Sequence, residues 1–376
     1  MPAMAAPRIG VMTMAPGEVF WERFGHDALV VVDDTTGAAT SYNFGYFDMG
    51  EPGFIPNFMR GRMQYMLAAL PLQEDLANYR AEGRGVTIQW LTLTDAQATT
   101  LAHKLALNAL PENARYRYDY FRDNCTTRVR DAVNDALDGL VERQLSTTSN
   151  GDSYRSESLR LSAPTTWMWL GFDLGLGPAA SKPLSFWDDA FLPEHLADGL
   201  DRIKLENGQP LVHATETLLP HRLDNLDKSF GLNTWLLGLL GCVFGGLLIY
   251  LARAGHARSL SALLCITWIK CALLGVILVL GWWLTDHWAM WRNANILLFS
   301  PLALCLLPAA VRIYKGKVPG QFAFSLSLIL TLLGVLAVFV RWIFNPQPNG
   351  HWIALMLPIL VAITATLHYL NSKPAR

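Results

Sequence analysis

Cys125 is the residue best placed to do covalent chemistry. It follows the polar pair Asp123-Asn124 and precedes Val129, Val133, Ala136, Leu137 and Leu140, which recur at helical spacing. Its sulfur therefore falls in the first turn of a helix running to about Glu142, with Asp123 or Asn124 as N-cap. Unpaired N–H groups and the positive end of the helix dipole lower a thiol pKa there and expose a nucleophilic thiolate. Arg122 and Arg128 push the same way. A lone thiol can instead be a small buried hydrophobe, but the helix start after a polar run favours catalysis.

A thiol nucleophile needs a base. Residues 1–230 offer His26, His103, His195, His213 and His221. His103 falls within a helical pattern, His195 near a helix start, and His213 and His221 close to the apolar half. His26 differs: it opens a strand, and the adjacent Gly25 leaves room for another group to approach. The alternative for His26 is a local hydrogen bond at a strand edge.

The elements that must carry these groups are legible in outline. Residues 28–33 read as a buried strand, 34–37 as a turn and 39–44 as the returning strand. A further strand is expected over 86–93 and a helix over 95–110. Residues 146–158 read as a polar loop. The Trp-, Gly- and Pro-rich stretch 164–200 ends in a short helix over 193–200.

Composition divides the chain. Of 376 residues, 52% are hydrophobic and only 16% charged, against about 25% charged in an ordinary soluble protein. Residues 231–376 hold ten Lys/Arg and one acid, Asp286, while residues 1–230 carry a net −10. The acidic part has the wrong sign for nucleic acid, and the whole is neither a cytosolic enzyme nor a disordered tail. Four of the five Cys lie in the apolar half, so no disulfide framework is expected.

Five stretches, 234–252, 262–284, 295–311, 322–344 and 352–370, are long enough to span a bilayer. Basic residues concentrate in alternate connectors: Arg253 and Arg258; Arg312, Lys315 and Lys317; Lys373 and Arg376. The positive-inside rule puts these in the cytoplasm and residues 1–230 outside it. An exported domain needs a signal. Ala3-Met4-Ala5 has the small-residue character of a signal-peptide end, and a signal upstream of it is expected unless the N-terminus is merely Ala-rich.

Three blocks then resemble a known family: Trp21-Glu22-Arg23-Phe24-Gly25-His26-Asp27-Ala28-Leu29, Tyr42-Asn43-Phe44-Gly45-Tyr46-Phe47-Asp48, and Tyr118 through Asn124-Cys125-Thr126-Thr127-Arg128. They are similar to the periplasmic domain of the Lnb-type lipoprotein intramolecular N-acyltransferases. The apolar half, with Asn293-Ala294-Asn295-Ile296-Leu297 and Ser300-Pro301, looks like that family's membrane domain. The resemblance implies an α+β domain with a permuted papain-like, NlpC-like thiol fold over 1–230, followed by an all-α five-helix transmembrane bundle over 231–376. It implies a multi-pass inner-membrane protein with a periplasmic N-terminal domain and a cytoplasmic C-terminus.

The same resemblance implies acyl transfer. Cys125 would take an acyl chain from the glyceryl group of a diacylated lipoprotein as a thioester and pass it to the lipoprotein's N-terminal amine, with His26 as base. No cofactor, nucleotide or metal is expected, and the sequence has no P-loop, CxxC or HExxH. Asn43 is the chosen orienting group, with Asp27 and Asp48 as competitors. A thiol hydrolase of the same fold, acting on cell-wall peptide or lipid ester, is the alternative. The partners expected are a membrane lipoprotein or phospholipid and the bilayer. Candidate substrate contacts are Asn124 and Arg128 beside the thiol, Trp167 and Trp169, and Asp286, His287 and Arg292 in an outer loop.

Overall fold

The computed structural model describes residues 6–223, 230–343 and 347–373; Ala3-Met4-Ala5 and the end of the fourth expected span at Phe344 lie outside them. The chain forms two compact units, Met1–Pro164 with Pro183–Lys228, and Thr165–Lys182 with Ser229–Arg376. The segment Thr165–Lys182 thus groups with the apolar helices.

The first unit is built on an antiparallel seven-stranded sheet in the order β6-β4-β3-β2-β1-β5-β7. The strands are β1 (Arg8–Met14), β2 (His26–Val32), β3 (Ala39–Tyr46), β4 (Gln64–Pro71), β5 (Val86–Leu91), β6 (Arg115–Arg117) and β7 (Val212–Leu219). Its helices are α1 (Phe54–Arg60), α2 (Leu72–Glu82), α3 (Asp95–Asn108), α4 (Cys125–Ala136), α5 (Leu140–Leu145) and α6 (Tyr154–Ser162). Beyond α7 (Thr166–Gly175) of the second unit come α8 (Phe186–Asp189) and α9 (Pro193–Arg202).

Both sheet faces are covered, which is why β2 reads as an unbroken apolar run rather than an alternating one. Val11, Leu29 and Leu91 pack with Leu101, Val129, Val133 and Leu196 from α3, α4 and α9. Met12, Ala28, Val30 and Ile88 face the other way and pack with Leu76 of α2. Residue parity therefore sends His26, Asn43 and Ser41 toward the α2 side, and Asp27 toward the α4 side.

Two local readings need correction. The helix expected to reach Glu142 stops at Ala136, because Asp138 and Gly139 take φ of 49° and 79°. Residues 146–158 are not all loop: α6 starts at Tyr154, where the Ser153 hydroxyl accepts from the Ser156 N–H in a capping box.

In the second unit, among the described residues, five segments are long and apolar enough to cross a membrane: Thr234–Arg253, Ala257–Trp283, Ala294–Tyr314, Gln321–Arg341 and Gly350–Ser372. The third is not a continuous α-helix. Short 3-10 turns at Ala294–Leu297 and Pro301–Leu306 precede α-helix Leu307–Tyr314. Pro301 lacks the N–H that would carry a helix through, and Ser300 Oγ accepts from the Leu302 N–H to start the next turn.

Amides fasten α7 to these helices. Asn293 Nδ2 donates to the carbonyls of Leu174 and Gly175 at 2.8 and 2.9 Å. Gln347 Nε2 donates to Asn293 Oδ1 at 2.9 Å, and Asn349 Nδ2 to Asn295 Oδ1 at 3.0 Å. Asp173 accepts from Trp352 Nε1 at 2.7 Å and also meets His351 Nε2.

Candidate active site

Asn124 is the N-cap of α4, so Cys125 is its first residue. The Asn124 Oδ1 accepts from the Thr127 N–H at 2.8 Å, and Thr127 Oγ1 accepts from the Asn124 N–H at 2.8 Å. Nδ2 of Asn124 donates to the Tyr120 and Phe191 carbonyls, both at 2.9 Å. All of its side-chain atoms are thus engaged in fixing the helix start and the chain that precedes it. The expected binding role of Asn124 would have to use the second lone pair of Oδ1. Asn124→Ala should lower the stability of this unit by about 2 kcal/mol, from the lost cap and two carbonyls left without a donor. Thermal unfolding of the full-length protein checks this.

His26 is the first residue of β2, and its Nε2 lies 3.1 Å from Asn43 Oδ1 on β3. Neither competitor meets the imidazole in this way. Asp48 Oδ1 accepts from the Gly50 N–H in an exposed turn. Asp27 is fully buried on the opposite side of β2, near the hydroxyls of Thr13 and Thr126.

The thiol and the imidazole lie close enough to perturb each other. Burial alone would raise the Cys125 pKa, but the charge of His26 and its hydrogen bond outweigh that, and the thiol is held below its ordinary range. The backbone N–H of Asp27 adds to the lowering. Burial acts to lower the His26 pKa, yet the Cys125 charge and hydrogen bond raise it above its ordinary value. Each group thus favours the charged form of the other. Arg122 and Arg128, expected to assist, are not prominent among these influences. The Arg128 guanidinium is paired with Asp123 and stacked 4.1 Å from the centre of the Tyr116 ring.

Two glycines shape the approach. Gly45, at φ 90°, marks an irregularity where the β3–β4 register shifts between Asn43 and Tyr46. A Cβ on it would lie 3.5 Å from Cys125 Cβ, so the bulge brings β3 against the thiol. The room expected beside Gly25 is already filled: its Cβ would lie 2.9 Å from the Met14 carbonyl and 3.2 Å from Pro193. Gly25 serves a turn at φ 76°, not an opening for another group.

Beside the thiol stands an aromatic wall. Tyr116 and Tyr118 are pushed well above the ordinary phenol range by burial, with the Cys125 charge adding to it. Ring contacts continue from Tyr118 to Tyr65 at 4.2 Å, Tyr65 to Phe47 at 4.9 Å and Phe47 to Phe54 at 5.7 Å. Around this lattice Trp21, Tyr46, Met49, Ile55 and Met59 are exposed, Met59 to 67%.

The remaining candidates lie elsewhere. His103 and His213 are exposed, and His221 Nδ1 accepts from the Gly85 N–H at 3.0 Å. His195 sits 3.0 Å from Asp189. Glu157, Glu194 and His195 are close enough to share an ion, but Arg160 pairs with both glutamates and supplies the positive charge. Trp167, Trp169, Asp286, His287 and Arg292 belong to the second unit. There Trp167 is exposed, whereas Trp169 is buried against Phe230, with ring centres 5.1 Å apart. Arg292 is exposed, with φ 56°.

Sequence reasoning missed Ser41 and Asp75. Asn43 Nδ2 donates to Asp75 Oδ2 at 2.9 Å and to Ser41 Oγ at 3.2 Å. Ser41 precedes Asn43 by two residues on one strand face, and that spacing was the available signal.

Two family models match the chain: the Lnb N-terminal periplasmic domain over residues 4–163 and the Lnb transmembrane domain over residues 234–374. No curated protein and no solved structure matches it.

Proposed function

We propose an acyl transfer through a Cys125 thioester for this chain, which belongs to the Lnb family and is thereby a lipoprotein-modifying membrane enzyme. The observation that carries the reading is a thiol at a helix start, coupled to an imidazole that Asn43 holds by a 3.1 Å hydrogen bond. The thiolate attacks the ester carbonyl of a glyceryl-linked chain on a diacylated lipoprotein. The tetrahedral oxyanion is met by the Cys125 backbone N–H and one neighbour at the head of α4, where the first amides have no intrahelical carbonyl to bond. As the intermediate collapses, the His26 imidazolium gives its proton to the departing glyceryl oxygen, leaving a lyso-glyceryl lipoprotein and an acyl-enzyme.

The lipoprotein's N-terminal amine then attacks the thioester. His26 takes the amine proton, the amide forms and the Cys125 thiolate leaves. An ester is exchanged for an amide, so no nucleotide supplies energy. The aromatic wall and exposed apolar side chains favour a lipid chain over a wall peptide as the group held beside the thiol. A permuted papain-like arrangement, with the imidazole on an early strand and the thiol on a later helix, suits this chemistry. The basic connectors support a cytoplasmic C-terminus and an N-terminal domain on the outer face.

Product analysis tests the reading. Incubated with a diacylated lipoprotein, the full-length enzyme should move acyl mass from the glyceryl group to the α-amine, read by mass spectrometry of the N-terminal peptide. Release of free fatty acid with an unmodified amine would instead establish the hydrolase.

A further inference from the structure

We propose that Asp75 is a positioning residue that sets the protonation of His26 through Asn43; this rests on the reading of Cys125 and His26 as the reacting pair. Asp75 lies in the first turn of α2 and is only 4% exposed. Its Oδ2 accepts from Ser41 Oγ at 2.7 Å and from Asn43 Nδ2 at 2.9 Å. The second proton of Asn43 Nδ2 goes to Ser41 Oγ at 3.2 Å. Both amide protons are therefore spent on the α2 side.

This fixes which way the amide points. A flipped Asn43 would turn its oxygen toward a carboxylate oxygen, acceptor against acceptor, in a buried setting where an unmade hydrogen bond costs about 1–3 kcal/mol. With Nδ2 held by Asp75, Oδ1 faces His26 and can only accept. The proton of the neutral imidazole must then sit on Nε2, at 3.1 Å. Nδ1 is left unprotonated as the base for the Cys125 thiol. Asp75 touches neither sulfur nor imidazole, and acts only through this amide.

Other charged groups face the same ring. Cys125, Arg84 and Asp27 act on His26, and Asp75 and Arg84 act on Tyr79, one turn along α2. None of them hydrogen-bonds to Asn43 among the described residues, so exchanging partners across the Asn43–Asp75 bond isolates it.

The test uses full-length protein in lipid nanodiscs with Asp75→Asn, Asn43→Asp and the double exchange. The pH dependence of iodoacetamide alkylation, followed on the Cys125 peptide by mass spectrometry, reports thiolate formation without any substrate. Asp75→Asn frees the amide to flip and should move the alkylation midpoint up by about one pH unit and slow acyl transfer about 10–100-fold. The double exchange places a carboxylate against His26 and an amide donor behind it, and should recover transfer to within about threefold of wild type. A residue that merely holds α2 to the sheet would leave the alkylation midpoint in place.

Superposition of the Asp75→Asn and wild-type profiles overturns the proposal, as does a double exchange no better than the weaker single variant. Should Asp75→Asn not fold, Asp75→Ser, which takes the carboxylate away from Asn43 Nδ2, must move the midpoint upward, and an unmoved midpoint is then the overturning result. If alkylation depends on Asp75 but no acyl transfer occurs, Asp75 keeps its role and the transferase reading fails instead.

Discussion

Cys125→Ser should reduce acyl transfer by at least about 10³-fold, and His26→Ala by a similar factor, with the double variant little worse than either. The non-additivity follows from the pair acting as one unit: the imidazole lowers the thiol pKa and the thiolate raises that of the imidazole. A serine hydroxyl at position 125 stays protonated beside the same base, so the lowered pKa of the thiol has no counterpart in the variant. Initial rates on a diacylated lipoprotein give the factors, and retention of half the wild-type rate by Cys125→Ser would end the thioester mechanism.

The pH dependence has a definite sign. Lowering the pH reprotonates the thiolate at a midpoint below the ordinary thiol range, which removes the nucleophile. Raising it deprotonates the imidazolium above the ordinary His value, which removes the proton donor for the leaving oxygen. The transfer rate should therefore show a bell whose two limbs belong to the pair rather than to either residue. In His26→Ala the acid limb of Cys125 alkylation should move to higher pH, because the two largest influences that oppose burial of the thiol are then gone.

How much of this was legible from the sequence depends on how local each signal is. Cys125 at a helix start follows from Asp123-Asn124 and the spacing of Val129 and Val133, all within one short segment. The β2–β3 hairpin is marked by its own turn. By contrast, β1 (Arg8–Met14) lies between β2 and β5 with both faces covered, so it shows no alternation. Its Gly10 weakens a strand reading further, yet a Cβ there would come within 2.7 Å of Ile88. Asp75 was invisible for another reason. In Leu72-Gln73-Glu74-Asp75-Leu76 it is one acid among several on a helix, and only the packing of α2 on β3 brings it to Ser41 and Asn43. The same holds for Thr165–Lys182, whose grouping with the apolar helices depends on Asn293 and Asn295, more than a hundred residues downstream.

Asp27→Asn should stabilise the protein at pH 7.5 and not at pH 3.5. The Asp27 carboxyl is fully buried, and both of its oxygens lack a hydrogen bond of ordinary geometry. Burial pushes its pKa from 3.8 to about 6, with the Thr13 and Thr126 hydroxyls and the His26 charge opposing the rise. The folded pKa exceeds the unfolded one, so the fold binds its proton more tightly than the open chain does. Stability consequently falls as the pH rises from about 4 to about 6, and the full cost stands above that window. The gap amounts to about 3 kcal/mol at most, which an uncharged amide of the same shape avoids. Thermal unfolding of the full-length variant at both pH values measures the difference, and an equal gain at each would assign it to packing instead of charge. The retained acid has a catalytic counterpart, since its charge raises the pKa of His26 and of Cys125 alike. Removing it should shift both limbs of the rate profile toward acid, trading the imidazolium's persistence near neutral pH for a more stable fold.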